Sequence, residues 1–179
     1  MKSKKILSLA LIPVLFIIAI ATTGCPYQSV QPVDVPNVKV DIALLGRWED
    51  ATGSTSFGSE KAVYVVTKKS EYIYGIETTS YDLNPETNEY DKSVTVYEGH
   101  VSMINDSKFL NVKQVSPMQE GEVLYYIYKM EVAGNNCILS EVSSCIDKKF
   151  STSSELKGFL LKNLDNELLF SGSATFFRN

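Results

Sequence analysis

The sequence predicts an all-β chain, an antiparallel barrel that carries one short helix before its last strand. Three observations lead there. From Asp41 onward, short apolar runs alternate with turn residues at fairly regular spacing. One of these runs, Val123 to Val132, alternates with a period of two, and one late segment switches to helical spacing.

The strands follow in order. Leu44 to Glu49 opens the series, and the small-residue stretch 51–59 reads as a loop. Val63 to Thr67 and Tyr72 to Thr78 are rich in β-branched and aromatic residues. Asp82 to Lys92 reads as a long polar loop, with Asn84-Pro85 as its turn signal. Val94 to Met103 and Phe109 to Val115 form the next pair, joined through Asn105-Asp106-Ser107. In Val123 to Val132, the residues Leu124, Tyr126, Tyr128, Met130 and Val132 share one apolar face, and Lys129 and Glu131 lie on the other. Gly134-Asn135-Asn136 is a hairpin turn into Cys137 to Val142. Thr152-Ser-Ser-Glu155 has the form of a capping box, and Leu156, Phe159, Leu160 and Leu164 follow as one helical stripe. Glu167 to Arg178 returns as a strand with Phe170, Ala174 and Phe176 expected in step.

The N-terminus belongs to a different class. Met1 to Lys5 is basic, and Ile6 to Ala21 is apolar except for Ser8 and Pro13. A spanning helix needs about 20 apolar residues, so this order of basic, apolar and small residues reads as a secretory signal. Thr22-Thr23-Gly24-Cys25 resembles the lipobox of bacterial lipoproteins, with Thr22 departing from the aliphatic residue usual there. The resemblance implies a signal peptide over 1–24 and a lipidated Cys25 bearing diacylglyceryl and palmitate-like chains. With Pro26 rather than Asp after the cysteine, it implies a place in the outer membrane, lipid-anchored in the cell envelope. Residues 25–40, with Pro32 and Pro36 and no periodicity, read as an extended tether ahead of a 41–179 domain.

At Leu44-Leu45-Gly46-Arg47-Trp48 the chain resembles the calycin superfamily, the lipocalins and their relatives. There a Gly-x-Trp opens the barrel, and a late basic residue covers the tryptophan ring. Carried onto this chain, Arg178 is expected over Trp48 as a structural pair at one barrel end. The whole of 41–179 is similar to lipocalin-like bacterial lipoproteins, in which a short Ser-Ser-Glu-Leu helix precedes the final strand. The helix precedes the last strand instead of following the barrel, so no ligand-site residue is carried over.

Charge and composition narrow the functions. The formal charge is −4, and loss of Lys2, Lys4 and Lys5 with the signal leaves 14 basic against 21 acidic residues, or −7. Such a surface repels phosphate backbones, so no nucleic acid partner is expected. His100 is the sole histidine and no Gly-x-Ser-x-Gly elbow exists, so no catalytic residue, no metal, no cofactor and no enzyme activity are expected. The acids Glu71, Glu77, Glu98, Glu120, Glu122, Glu131 and Glu141 read as solvated strand-edge and turn residues. Cys137 and Cys145 can bridge only if the chain turns near 141–144, because an extended strand sets them roughly 26 Å apart.

Tyr72, Tyr74, Tyr97, Tyr126 and Tyr128 either line a ligand cavity or fill the barrel, and small barrels are commonly filled. The leading expectation is a lipoprotein binding a small apolar ligand or lipid. The alternative is a protein-interaction or inhibitor module that uses its acidic surface and the loops 51–60 and 82–92.

Overall fold

The computed structural model describes residues 27–51, 62–116, 121, 123–143, 146 and 148–178. Cys25, the signal segment and most of the 51–60 loop lie outside them. Among the described residues nine strands follow in chain order: β1 (Gln28–Ser29), β2 (Gly46–Asp50), β3 (Val63–Lys68), β4 (Tyr74–Asn84), β5 (Glu89–Ile104), β6 (Ser107–Ser116), β7 (Tyr125–Ala133), β8 (Asn136–Val142) and β9 (Phe170–Arg178). One helix, α1 (Ser153–Lys162), precedes the last strand.

Every strand pairing is antiparallel. Strands β2 to β7 run as a meander. β9 pairs with both β2 and β8, and β8 returns to β7, which closes an eight-stranded barrel. Alternation sorts the side chains. On β7, Met130 lines the interior, whereas Ile127 joins a second core on the outer wall.

That outer core is made by α1. Leu156 and Leu160 are fully buried with Phe109, Ile127 and Phe150. The helix begins as its sequence dictates: the Thr152 hydroxyl accepts the Glu155 N–H at 3.2 Å, and the Glu155 carboxylate accepts the Ser151 N–H at 3.0 Å.

Residues 27–40 do not form the expected tether. They are a strap packed on the barrel wall, with Val33 fully buried and Tyr27 against Phe150. β1 pairs with Tyr125 and Tyr126, and the Tyr27 N–H donates to the Val142 carbonyl. Further along, the fully buried Asn111 accepts the Val33 N–H at 2.7 Å and donates to the Ser102 hydroxyl at 3.0 Å. Its ladder partner His100 donates from Nε2 to the Asp34 carbonyl at 2.8 Å, and the Asp34 carboxylate pairs with Lys157 of α1 at 2.6 Å. Irregularly spaced apolar anchors at Tyr27, Val33, Val38 and Val40 and a row of hydrogen bonds hold the strap, so it leaves no periodic trace in the sequence.

Two further expectations are corrected. Residues 82–92 are not a loop, because Asp82, Leu83 and Asn84 pair with Asp91, Tyr90 and Glu89 up to a tight turn. Among the described residues, the two strands pair only with each other from Ser80 to Ser93, forming an arm that extends past the barrel. Phe170 is not in step with Ala174 and Phe176. The β8–β9 register shifts between Ser140 and Glu141, opposite Gly172 at φ +66°. This bulge inverts the alternation, so Phe170 packs on the outer core and Phe176 faces the interior.

Two predictions follow from the strap. Asn111→Ala leaves several buried partners unsatisfied and should cost about 3 kcal/mol in urea unfolding. Burial, as the largest effect, depresses His100 below its usual value of 6.5. The unfolded chain therefore binds the proton first, and stability should fall as pH drops below about 6.5 until the folded-state value is reached. A His100→Gln variant should lack that part of the slope in unfolding measured across pH.

Candidate functional site

The barrel interior has two ends of different chemistry. At the closed end, a 3-10 turn, Ile42–Leu44, crosses beneath the strands. The Trp48 indole N–H donates to the Leu44 carbonyl at 2.9 Å, and Trp48 is 4% exposed. Trp48 and Arg178 are Cα partners across β2 and β9, and the guanidinium carbon lies 5.9 Å from the ring centroid. Arg178 also donates to the Ala43 carbonyl at 2.8 Å and the Asn135 side chain at 3.0 Å. Gly46 holds φ +128° at the strand entrance, with the Arg178 side chain 3.6 Å from where a Cβ would sit. The glycine of the Gly-x-Trp thus has a backbone reason.

Above this floor is a cavity of about 100 Å³. Its walls include Trp48, Tyr64, Ile76, Leu110, Met130 and Phe176. Cys137 also lines it as a buried free thiol, which burial pushes up to about 11. Cys137 points into the barrel near the start of β8, and the possible Cys137–Cys145 bridge falls outside the described residues, because Cys145 is not among them.

The far end is phenolic. Tyr128 faces Glu141 across β7 and β8, and both share the inward alternation of Met130 and Leu139. The Tyr128 hydroxyl feels Glu141, Tyr97, Tyr126 and Tyr64, and burial raises it far above the usual range of a phenol. Tyr64 adjoins both Tyr97 and Asp50. Tyr126 accepts a hydrogen bond from the Gln28 amide at 3.2 Å, so the strap contributes to this rim. Burial alone raises the Glu141 carboxyl above the usual carboxylate range.

Of the five expected tyrosines, Tyr74 lines the cavity, with its hydroxyl accepting the Asp41 N–H at 2.8 Å. Tyr97, Tyr126 and Tyr128 gather above it, and Tyr72 stands apart on the turn before β4. Glu141 was expected on the surface and instead faces inward. Its place two residues beyond Leu139 on an alternating strand was the available signal. Tyr64, two residues before Val66, carries the same signal.

A second recess, of about 170 Å³, lies between the strap and the wall beside Pro32, His100 and Lys113. Its charges are already satisfied, since Glu98 pairs with both Lys69 and Lys113. The interior is the better site. Among the described residues no cluster of three or more potential metal ligands occurs.

Arg178→Ala removes the ring contact and two hydrogen bonds at the floor. It should cost about 2 kcal/mol in denaturant unfolding and shift the emission of Trp48, the sole tryptophan. No protein-family model, no curated protein and no solved structure matches this chain.

Proposed function

We propose that this protein is a non-enzymatic, lipid-anchored envelope protein whose barrel binds a small ligand with an apolar portion. The carrying observation is the apolar cavity of about 100 Å³ above Trp48. A cavity of roughly 150 Å³ in a protein interior accepts a single aromatic ring. The space therefore suits a ring or a short alkyl chain, and a whole lipid would have to displace side chains.

The anchor reading rests on the signal-like N-terminus and the lipobox-like Thr22-Thr23-Gly24-Cys25. Two residues, Pro26 and Tyr27, lie between Cys25 and Gln28, which reaches Tyr126 of the phenolic rim. An acylated Cys25 would therefore hold the barrel within roughly 10 Å of the lipid surface. The rim would stand closer to the bilayer than the floor, which suits a ligand that partitions into lipid.

A second reading, an interaction module for a cationic protein, is favoured by the β4–β5 arm. It carries Asp82, Glu86, Glu89 and Asp91, and it exposes Tyr81, Leu83 and Tyr90. Binding of such a partner would weaken steeply with salt.

Trp48 lines the cavity and reports on its contents. Titration with 1-hexanol should change its emission saturably, and Leu139→Phe, which narrows the cavity, should abolish the change while the fold is retained by circular dichroism. A linear, unsaturable response in the parent protein would count against an interior site.

A further inference from the structure

The charged groups that line the recess under the strap pair with one another, but one neutral group there does not. His100 is 4% exposed and lines the recess. Its Nε2 meets the Asp34 carbonyl at 2.8 Å, and a carbonyl only accepts, so Nε2 carries the ring proton. Burial keeps the imidazole neutral near pH 7, which leaves a lone pair on Nδ1. No described residue donates to that nitrogen. Among the described residues no polar side-chain atom is both sealed off and unpartnered, so Nδ1 keeps access to open space, and the recess is the space that His100 lines.

The walls around it are mainly apolar. Pro32, Val35 and Pro36 come from the strap, Ile73 from the turn before β4, and Tyr125 from β7. The Tyr125 ring stands edge-on to the imidazole, with 83° between the planes and 6.3 Å between centroids. Glu98 and Lys113 also line the recess, as an ion pair at 3.2 Å.

We propose that this recess is a binding site for a small phenol, its ring against the strap prolines and Tyr125 and its hydroxyl donating to His100 Nδ1. The site is separate from the barrel cavity and does not depend on it.

Three arguments carry it. A recess of about 170 Å³ has room for one aromatic ring, since a cavity of roughly 150 Å³ holds benzene. Apolar walls with a single placed polar group bind a flat apolar body and orient it by one hydrogen bond. The open group is an acceptor, so the ligand must bring a proton: a carboxylate has none to give at pH 7, and a cation would lie beside Lys113. The charged groups around the imidazole are all paired, Asp34 on the strap with Lys157 on α1, and Glu98 on β5 with Lys69 and with Lys113 on β6. With Tyr125 the only other titratable side chain lining the recess, His100 is the group there that changes charge between about pH 5 and 8.

The test uses the purified protein with 15N-labelled histidine. His100 is the sole histidine, so its ring resonances need no assignment. Phenol at pH 7.5 is expected to move the Nδ1 resonance upfield and saturably. Anisole, which keeps the ring and lacks the donor, should bind about tenfold more weakly, the worth of one buried hydrogen bond. A protonated ring cannot accept, so phenol should lower the pKa of His100, and its affinity should fall as pH drops through that value. His100→Leu should bring phenol down to the affinity of anisole, measured by calorimetry on protein that circular dichroism shows to be folded. The comparison of phenol with anisole on the parent protein decides the matter even if that variant does not fold. Equal binding of the two by the parent overturns the site. So does an Nδ1 resonance that phenol leaves unmoved, including the case in which phenol changes Trp48 emission and so occupies the barrel instead.

Discussion

The fold depends on the double pairing of its last strand. β9 lies between β2 and β8, and without it both of those strands present bare edges. Open edges invite pairing with other chains, and closure removes them. The same pairing sets Arg178 opposite Trp48, so one register fixes both the seam of the barrel and its floor. The cavity exists because that floor is sealed by a turn, an indole and a guanidinium, while the strands above continue past it.

Two cores share one sheet, and this accounts for the outline of the molecule. Inward residues enclose the cavity, and outward residues of β5, β6 and β7 pack beneath α1 and the strap. A barrel with a solvated exterior would place polar residues at those outward positions. Here Phe109 and Ile127 point outward and are buried, because a helix and a segment of extended chain cover them.

Much of this was legible in the residues. The alternation of β7, the capping box of α1 and the glycine-to-tryptophan spacing of β2 each report a local rule that the packing obeys. The strap was not legible, because backbone hydrogen bonds to Asn111 and single anchors such as Val33 hold it without a repeating pattern. The arm was missed for the opposite reason. Past the barrel both of its faces meet solvent, so residues such as Asp82 and Asp91 can be polar within a regular ladder. Phe170 was misplaced because a bulge at Gly172 shifts the count by one, and a period of two cannot survive an inserted residue. In the candidate site, the tyrosines were visible as aromatic strand residues. Glu141 was hidden, because a carboxylate on a half-wet strand ordinarily faces water.

The strap has a mechanical consequence. Were the chain held through the proposed anchor at Cys25, a pull there would reach the two-residue β1 ladder before any strand of the closed barrel. A ladder that short, with a few hydrogen bonds broken in succession, peels one contact at a time. Release of residues 28–40 would pay out roughly 40 Å of chain at about 3.3 Å per residue. The barrel would stay shut, because the strands that close it all begin beyond that segment. Under the anchor proposed at Cys25, the strap would be slack stored on the wall: docked, it would keep the phenolic rim near that anchor, and under tension it would become a leash.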